Sequence, residues 1–193
     1  MRHLFSTVML LLAVSCATVS LAEVKVPPVF SNHMVLQRDL AVPVWGTAEA
    51  GEEVAVSIAE QSHTAKADAQ GNWSLKLEPL KAGGPHVLSI KGSNTIALKD
   101  VLVGDVWIGS GQSNMEAALG RGASKADGIE NKIRFFIVKN QGLIVKEDQA
   151  DTNSTVVVQS PWTPAGKKTA GRFSNVGFHF GKKLSDELNV PIG

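Results

Sequence analysis

The residues whose types and spacing could do chemistry are crowded into one segment, Gly104-Asp105-Val106-Trp107-Ile108-Gly109-Ser110-Gly111-Gln112-Ser113-Asn114-Met115-Glu116. An almost continuous apolar run, 101–108, broken only by Gly104-Asp105, reads as a strand; it ends in a glycine-rich turn, and a helix-compatible stretch follows. A serine in the turn after a parallel strand stands at the carboxyl edge of the sheet, where α/β proteins bind ligands. The start of the next helix would add positive potential and free backbone N–H groups, which can hold an oxyanion while an ester carbonyl is attacked. Gly109 and Gly111 allow a sharp turn and a close approach to substrate. Ser113 is therefore the candidate nucleophile, and Gly111, Gln112 and Asn114 are candidate substrate or oxyanion positions. The plainer reading is that Ser113 caps the helix, and taken alone the local pattern favours it. Gln112 and Asn114 could equally satisfy backbone groups of the turn.

Three other motifs compete for the same residues and fail. Gly109-x-Gly111-x-x-Asn114 lacks the third glycine of a dinucleotide turn, and 133–140 lacks the acidic residue that should follow. Gly111-x-Ser113-x-Met115 puts methionine where the nucleophile elbow of α/β-hydrolases needs its second glycine. The Lys-Ser/Thr of a phosphate loop is missing as well. A serine nucleophile also needs a base, and the histidines offer little. His3 falls in an N-terminal leader, His33, His63 and His86 in β-type segments, and His179 beside the apolar stripe of a later helix. Asp105 reads as a structural carboxylate at a strand end. No His, Cys, Asp and Glu cluster has metal-ligand spacing, so neither a metal nor a cofactor is expected. Trp45, Trp73, Trp107 and Trp162 could stack on sugar rings, but burial in the core is the commoner fate of tryptophan.

The elements that must position this segment are legible from pattern. Residues 24–102 hold short β-type runs at 34–37, 41–45, 53–58, 63–67, 73–77, 86–90 and 95–98, separated by turn residues at 50–52, 70–72, 82–85 and 92–94. Val54, Val56 and Ile58 alternate with smaller or polar residues, as do Trp73, Leu75 and Leu77, so each run should bury one face of an antiparallel sandwich. Residues 133–139 suggest a strand covered on both faces. A polar stretch, 140–169, should cross the surface, with a short strand over 155–158 and Trp162 as an anchor. Ser174 is a natural N-cap for a helix whose apolar stripe is Phe173, Val176, Phe180, Leu184 and Leu188, ended by Asn189 and Pro191. Residues 190–193 then look like the opening of another core strand, and a sheet stopping there would carry an unpaired edge and a risk of aggregation.

Composition bounds the partners. With 44% hydrophobic and 19% charged residues the chain can build a core, and a net charge of +1 creates no field that would gather nucleic acid or anionic membrane. Arg2 and His3 followed by an apolar run over 4–14, too short to span a bilayer, and by Ser20-Leu21-Ala22, read as a secretory signal over 1–22. The mature protein is expected to be exported, periplasmic or extracellular, and free of thiols because the single cysteine, Cys16, lies in that signal. A lipoprotein acylated at Cys16 ranks second, since Ala13-Val14-Ser15 fits that signal poorly. The acceptor tripeptides at Asn72 and Asn153 are short enough to arise by chance.

The segment 109–115, preceded by Val103-Gly104-Asp105-Val106-Trp107, closely resembles the nucleophile block of the sialate O-acetylesterase family, a branch of the SGNH hydrolases. Val29-Phe30-Ser31-Asn32-His33-Met34-Val35-Leu36-Gln37-Arg38, Val44-Trp45-Gly46, Gly71-Asn72-Trp73 and Phe173-Ser174-Asn175-Val176-Gly177-Phe178 resemble further blocks of the family in the right order. The resemblance implies a β-sandwich over 23–102, followed over 103–193 by the start of an α/β hydrolase domain with a flavodoxin-like parallel sheet. It implies removal of acetyl groups from a carbohydrate through an acetyl-enzyme on Ser113, whose backbone N–H serves the oxyanion. The family's His and Asp partners come from blocks after the second core strand, none of which occurs here, so a non-catalytic carbohydrate-binding or structural module is the alternative.

Overall fold

The computed structural model describes residues 23–129, 132–138 and 161–193. The expected signal with Cys16, the acceptor at Asn153 and the strand over 155–158 lie outside the described residues. The alternating runs form strands where expected: β1 (Val35–Gln37), β2 (Val42–Thr47), β3 (Glu53–Ile58), β4 (Gln61–Lys66), β5 (Asn72–Leu77), β6 (Gly83–Lys91) and β7 (Thr95–Gly104). Val54, Val56, Ile58, Trp73 and Leu77 are fully buried, so the period-two pattern translates directly into an inner face. One sheet has the order β1-β7-β6-β3-β4 and a second pairs β2 with β5. A single core contains Val44, Trp73 and Leu77 from the second sheet with Val56, Leu88, Ile90 and Val101 from the first.

The sheet is mixed rather than wholly antiparallel, because β1 runs parallel to β7 in the register Val35↔Leu102. Nearly sixty residues of intervening chain provide the crossover that a parallel pair requires and a hairpin cannot. The runs expected at 95–98 and 101–108 also join into one strand. The ladder between β6 and β7 shifts register between His86↔Val101 and Leu88↔Leu98, and Asp100 inside that shift has φ 56°. Such a bulge lets the strand bend and continue. It ends at Gly104, leaving Val106 and Trp107 exposed and Ile108 95% exposed.

Past Gly104 the chain starts a parallel arrangement of small extent. Asp105 and Ile133 each form a parallel bridge to Ile192, which places 192 between 105 and 133. The Asp105 and Trp107 amides donate to Pro191 and Gly193, and the Ile192 amide donates to Lys132. Gly104 permits this contact: a Cβ there would run into the Pro191 carbonyl oxygen. The strand expected over 133–139 is shorter than its apolar content suggests. Only β8 (Arg134–Phe135) forms, antiparallel to β9 (Thr163–Pro164), and Val138 is exposed.

Two α-helices, α1 (Ser113–Glu116) and α2 (Asn175–Leu188), and two 3₁₀ helices, Gly120–Ala126 and Ala170–Arg172, complete the described chain. Ser174 caps α2 as expected, its Oγ accepting the Gly177 amide at 3.1 Å, and Asn189 ends it in the left-handed region. The buried face differs from the expected stripe. Phe178, Gly181 and Ser185 face inward, while Val176, Phe180 and Leu188 are about half exposed. The reason is the small residue at 181, which lets the helix lie close on Ile133 and Ile192. Leu119, Ala126, Ile133, Ala165, Ala170, Phe173 and Phe178 form this second core. Trp162 anchors its segment to the first core instead, donating to the Val29 carbonyl at 2.8 Å and packing on Phe136.

Candidate active site

Ser113 is the first residue of α1, eight residues beyond the parallel bridge at Asp105. Gln112 precedes the helix without a side-chain cap bond, and its carbonyl accepts the Met115 and Glu116 amides at 2.9 and 3.1 Å. Gly111, Gln112, Ser113 and Asn114 are all exposed and consecutive, so the four candidate positions form one rim. The Ser113 side chain does not act as a helix cap: as the first helical residue it lies past the cap position, and among the described residues its hydroxyl has no hydrogen-bond partner.

The helix itself is shorter than the sequence suggests. A single turn carries only a small dipole, so the positive potential expected from a long helix shrinks to the local contribution of the Ser113 and Asn114 amides, which such a turn leaves without internal acceptors. The two glycines also act differently than expected. Neither Gly109 nor Gly111 has positive φ, so backbone torsion does not require glycine at either position. A Cβ on Gly111 would stand 3.2 Å from the Met115 Cβ, so close packing on Met115 is what disfavours a side chain there.

Met115 ties the rim to α2. Its sulfur lies 3.2 Å from the Ser174 hydroxyl, and the backbone pairs Leu119 N to Phe173 O and Asn175 N to Ala117 O, both 2.8 Å, fasten the chain just after α1 to the start of α2. On the other side, Asp105 is gripped by Arg38 through Nε at 2.7 Å and Nη2 at 3.1 Å. This two-point bond fixes the strand end from which the Ser113 turn departs and commits Asp105 to a structural role.

No described histidine reaches Ser113. His33 Nδ1 is 2.7 Å from Asp100, His63 Nε2 is 3.1 Å from Gln61, and His179 is exposed, edge-on to the Phe178 ring. The described residues contain no trio of His, Cys, Asp or Glu placed to hold a metal ion. Sequence reasoning missed the group that unites the two cores, Arg134. It is 1% exposed and forms a fork with Asp100 at 2.9 and 3.1 Å, with a further bond to the His33 carbonyl at 3.2 Å. That fork holds the Asp100 carboxyl below the usual carboxylate range, with the His33 contact adding to it. The available signal was an arginine in the middle of an otherwise apolar run, Ile133-Arg134-Phe135-Phe136-Ile137.

No protein-family model matches the chain. Among curated proteins it is 31% identical to the sialate O-acetylesterase of Mus musculus over 182 residues and 29% identical to that of Homo sapiens over 181. Each alignment covers 84% of this chain but 33% and 34% of the relative, so the chain spans about a third of the length of the curated relatives it matches. Among solved structures it is similar to a carbohydrate acetylesterase from Xanthomonas citri, with a TM-score of 0.79 and 34% identity over 89% of this chain and 39% of that one. Across most of its length, the chain is a homologue of the sialate O-acetylesterases.

Proposed function

We propose that these residues supply the nucleophile and the opening part of an exported carbohydrate O-acetylesterase, built as a β-sandwich followed by the first units of a parallel α/β hydrolase domain. The observation that carries the reading is the 34% identity and TM-score of 0.79 to a solved carbohydrate acetylesterase over 89% of the chain. The position of Ser113 supports it, since its hydroxyl is exposed and free of a competing hydrogen bond among the described residues. The helix of the described residues that is longest, α2, is too short and polar to cross a membrane, and none of the others does better.

In this reading the Ser113 oxygen attacks the acetyl carbonyl, and the Ser113 amide, with help from the Gly111–Asn114 rim, stabilises the negative oxygen of the tetrahedral intermediate. The sugar hydroxyl leaves, and water then clears the acetyl-enzyme. A base must take the serine proton. Among the described residues no histidine is hydrogen-bonded to Ser113, His33 and His63 being bonded to Asp100 and Gln61 and His179 packing edge-on to Phe178, so in this reading the base comes from residues outside this chain. The test is hydrolysis of an acetylated oligosaccharide by a protein extended to the length of the relatives. Ser113→Ala should lower kcat by about 10⁴-fold or more while leaving the fold intact; an extended protein equally active without the hydroxyl would refute the assignment.

A further inference from the structure

The solvent face of the small β2–β5 sheet is out of keeping with an ordinary outer surface. Its outward positions pair Pro43 with Lys76, Trp45 with Ser74 and Thr47 with Asn72. Outward strand positions of a half-buried sheet are normally polar, yet Trp45 stands among them with 42% of its surface exposed. Its ring is held edge-on by the buried Phe30, with centroids 4.8 Å apart and planes 77° apart. The indole is thus fixed in orientation while much of its surface remains open.

Beside it runs a groove of about 250 Å³ lined by Lys25, Val26, Pro27, Trp45, Gly46, Thr47 and Asn72. Gly46 makes the groove possible, since a Cβ there would strike the Lys25 carbonyl oxygen and crowd the Trp73 ring. The volume lies below the ~300–1,000 Å³ usual for drug-sized ligands and suits a single ring. The walls combine one aromatic with a hydroxyl, a carboxamide and an ammonium, and no carboxylate lines them.

We infer that this groove is a glycan-binding subsite in which Trp45 stacks against the apolar face of one pyranose ring. The C–H bonds on that face meet the negative face of the indole, and Thr47, Asn72 and Lys25 are placed to bond the ring hydroxyls. The Asn72 backbone amide donates to Asp68 Oδ1 at 2.8 Å, which fixes the start of the strand and leaves the carboxamide its bonding capacity. The subsite does not depend on Ser113, so it stands whether or not the hydrolase reading does.

The experiment is calorimetric titration of the full chain, wild type and Ser113→Ala, with cellohexaose and in parallel with sialyllactose. Both proteins should bind at least one sugar. Cellohexaose alone would assign a neutral chain, and a stronger response to sialyllactose would assign an anionic sugar held by Lys25. Trp45→Ala should weaken that binding by about tenfold or more, Trp45→Phe should retain part of it, and Ser74→Arg, a large side chain directly across the strand pair from Trp45, should abolish it. Circular dichroism of each variant separates loss of binding from loss of fold. Binding to neither sugar, or binding unchanged in folded Trp45→Ala and Ser74→Arg, would overturn the inference.

Discussion

Arg134 is the largest of the fully buried side chains, and its charge is met by a carboxylate, Asp100, whose side chain is 35% exposed. An ion so deeply placed is tolerable only while paired. Asp100→Asn, which keeps the shape and tolerates the left-handed φ, should lower stability by about 2–3 kcal/mol in urea unfolding, because Arg134 is left buried without a counter-charge. The pH dependence has a definite sign. Asp100 titrates below its ordinary value in the folded state, so its contribution is complete above about pH 4 and is lost as pH falls toward the depressed value. Wild type should therefore lose more stability than Asp100→Asn over that acid range. At Gly104 the contact is steric, and Ala should cost about 3 kcal/mol by pushing residue 191 off the strand. Ser113 stood out in the sequence through the resemblance of 109–115 to a family's nucleophile block, since the local pattern alone favours a helix cap. Arg134 stayed hidden because its partner lies 34 positions away, and only the folded chain shows that an arginine inside an apolar run is paired rather than exposed.

The helix α2 shows what periodicity can and cannot decide. Apolar residues fall on two faces of it, and spacing alone does not tell which face is covered. Phe178, at 0% exposure, packs into the second core, whereas Phe180 meets Trp107 edge-on at 5.2 Å and remains 45% exposed. Phe178→Ala should cost about 3–5 kcal/mol in thermal or urea unfolding and Phe180→Ala far less. Equal effects would restore the stripe read from the sequence. Ser174→Ala should cost about 1 kcal/mol through loss of the cap. The strands were easier to read, because alternation with period two admits one inner face and the turn residues between runs mark where each ends. The exception was the run at 101–108: hydrophobicity suggested a strand throughout, but the ladder partners stop at Gly104, and beyond it only Asp105, bonded to Pro191 and Gly193, and Trp107, bonded to Gly193, find backbone partners.

At the scale of the molecule, the first core was legible because its contacts are made between neighbouring alternating strands. The second was not, because it is assembled from short segments that carry no period of their own, such as 119–126 and 165–173. The two are joined by the Arg134–Asp100 pair and by Trp162, and the Arg38–Asp105 pair fixes the strand end beneath the Ser113 turn. Val106, Trp107, Ile108 and Phe180 are left as exposed apolar surface, two of them in ring contact. Surface of this kind favours association, so light scattering should show the 193-residue chain self-associating and the double variant Trp107→Gln, Phe180→Ser doing so less. The central claim is that Ser113 is a nucleophile whose base lies outside these residues. Its most direct test is acetyl-ester hydrolysis by three proteins side by side: this chain, a version extended to the length of its relatives, and the extended Ser113→Ala variant. Activity confined to the extended form with its serine intact is the predicted result; Ser113-dependent activity in the short chain, or full activity in the extended variant without the serine, would contradict it.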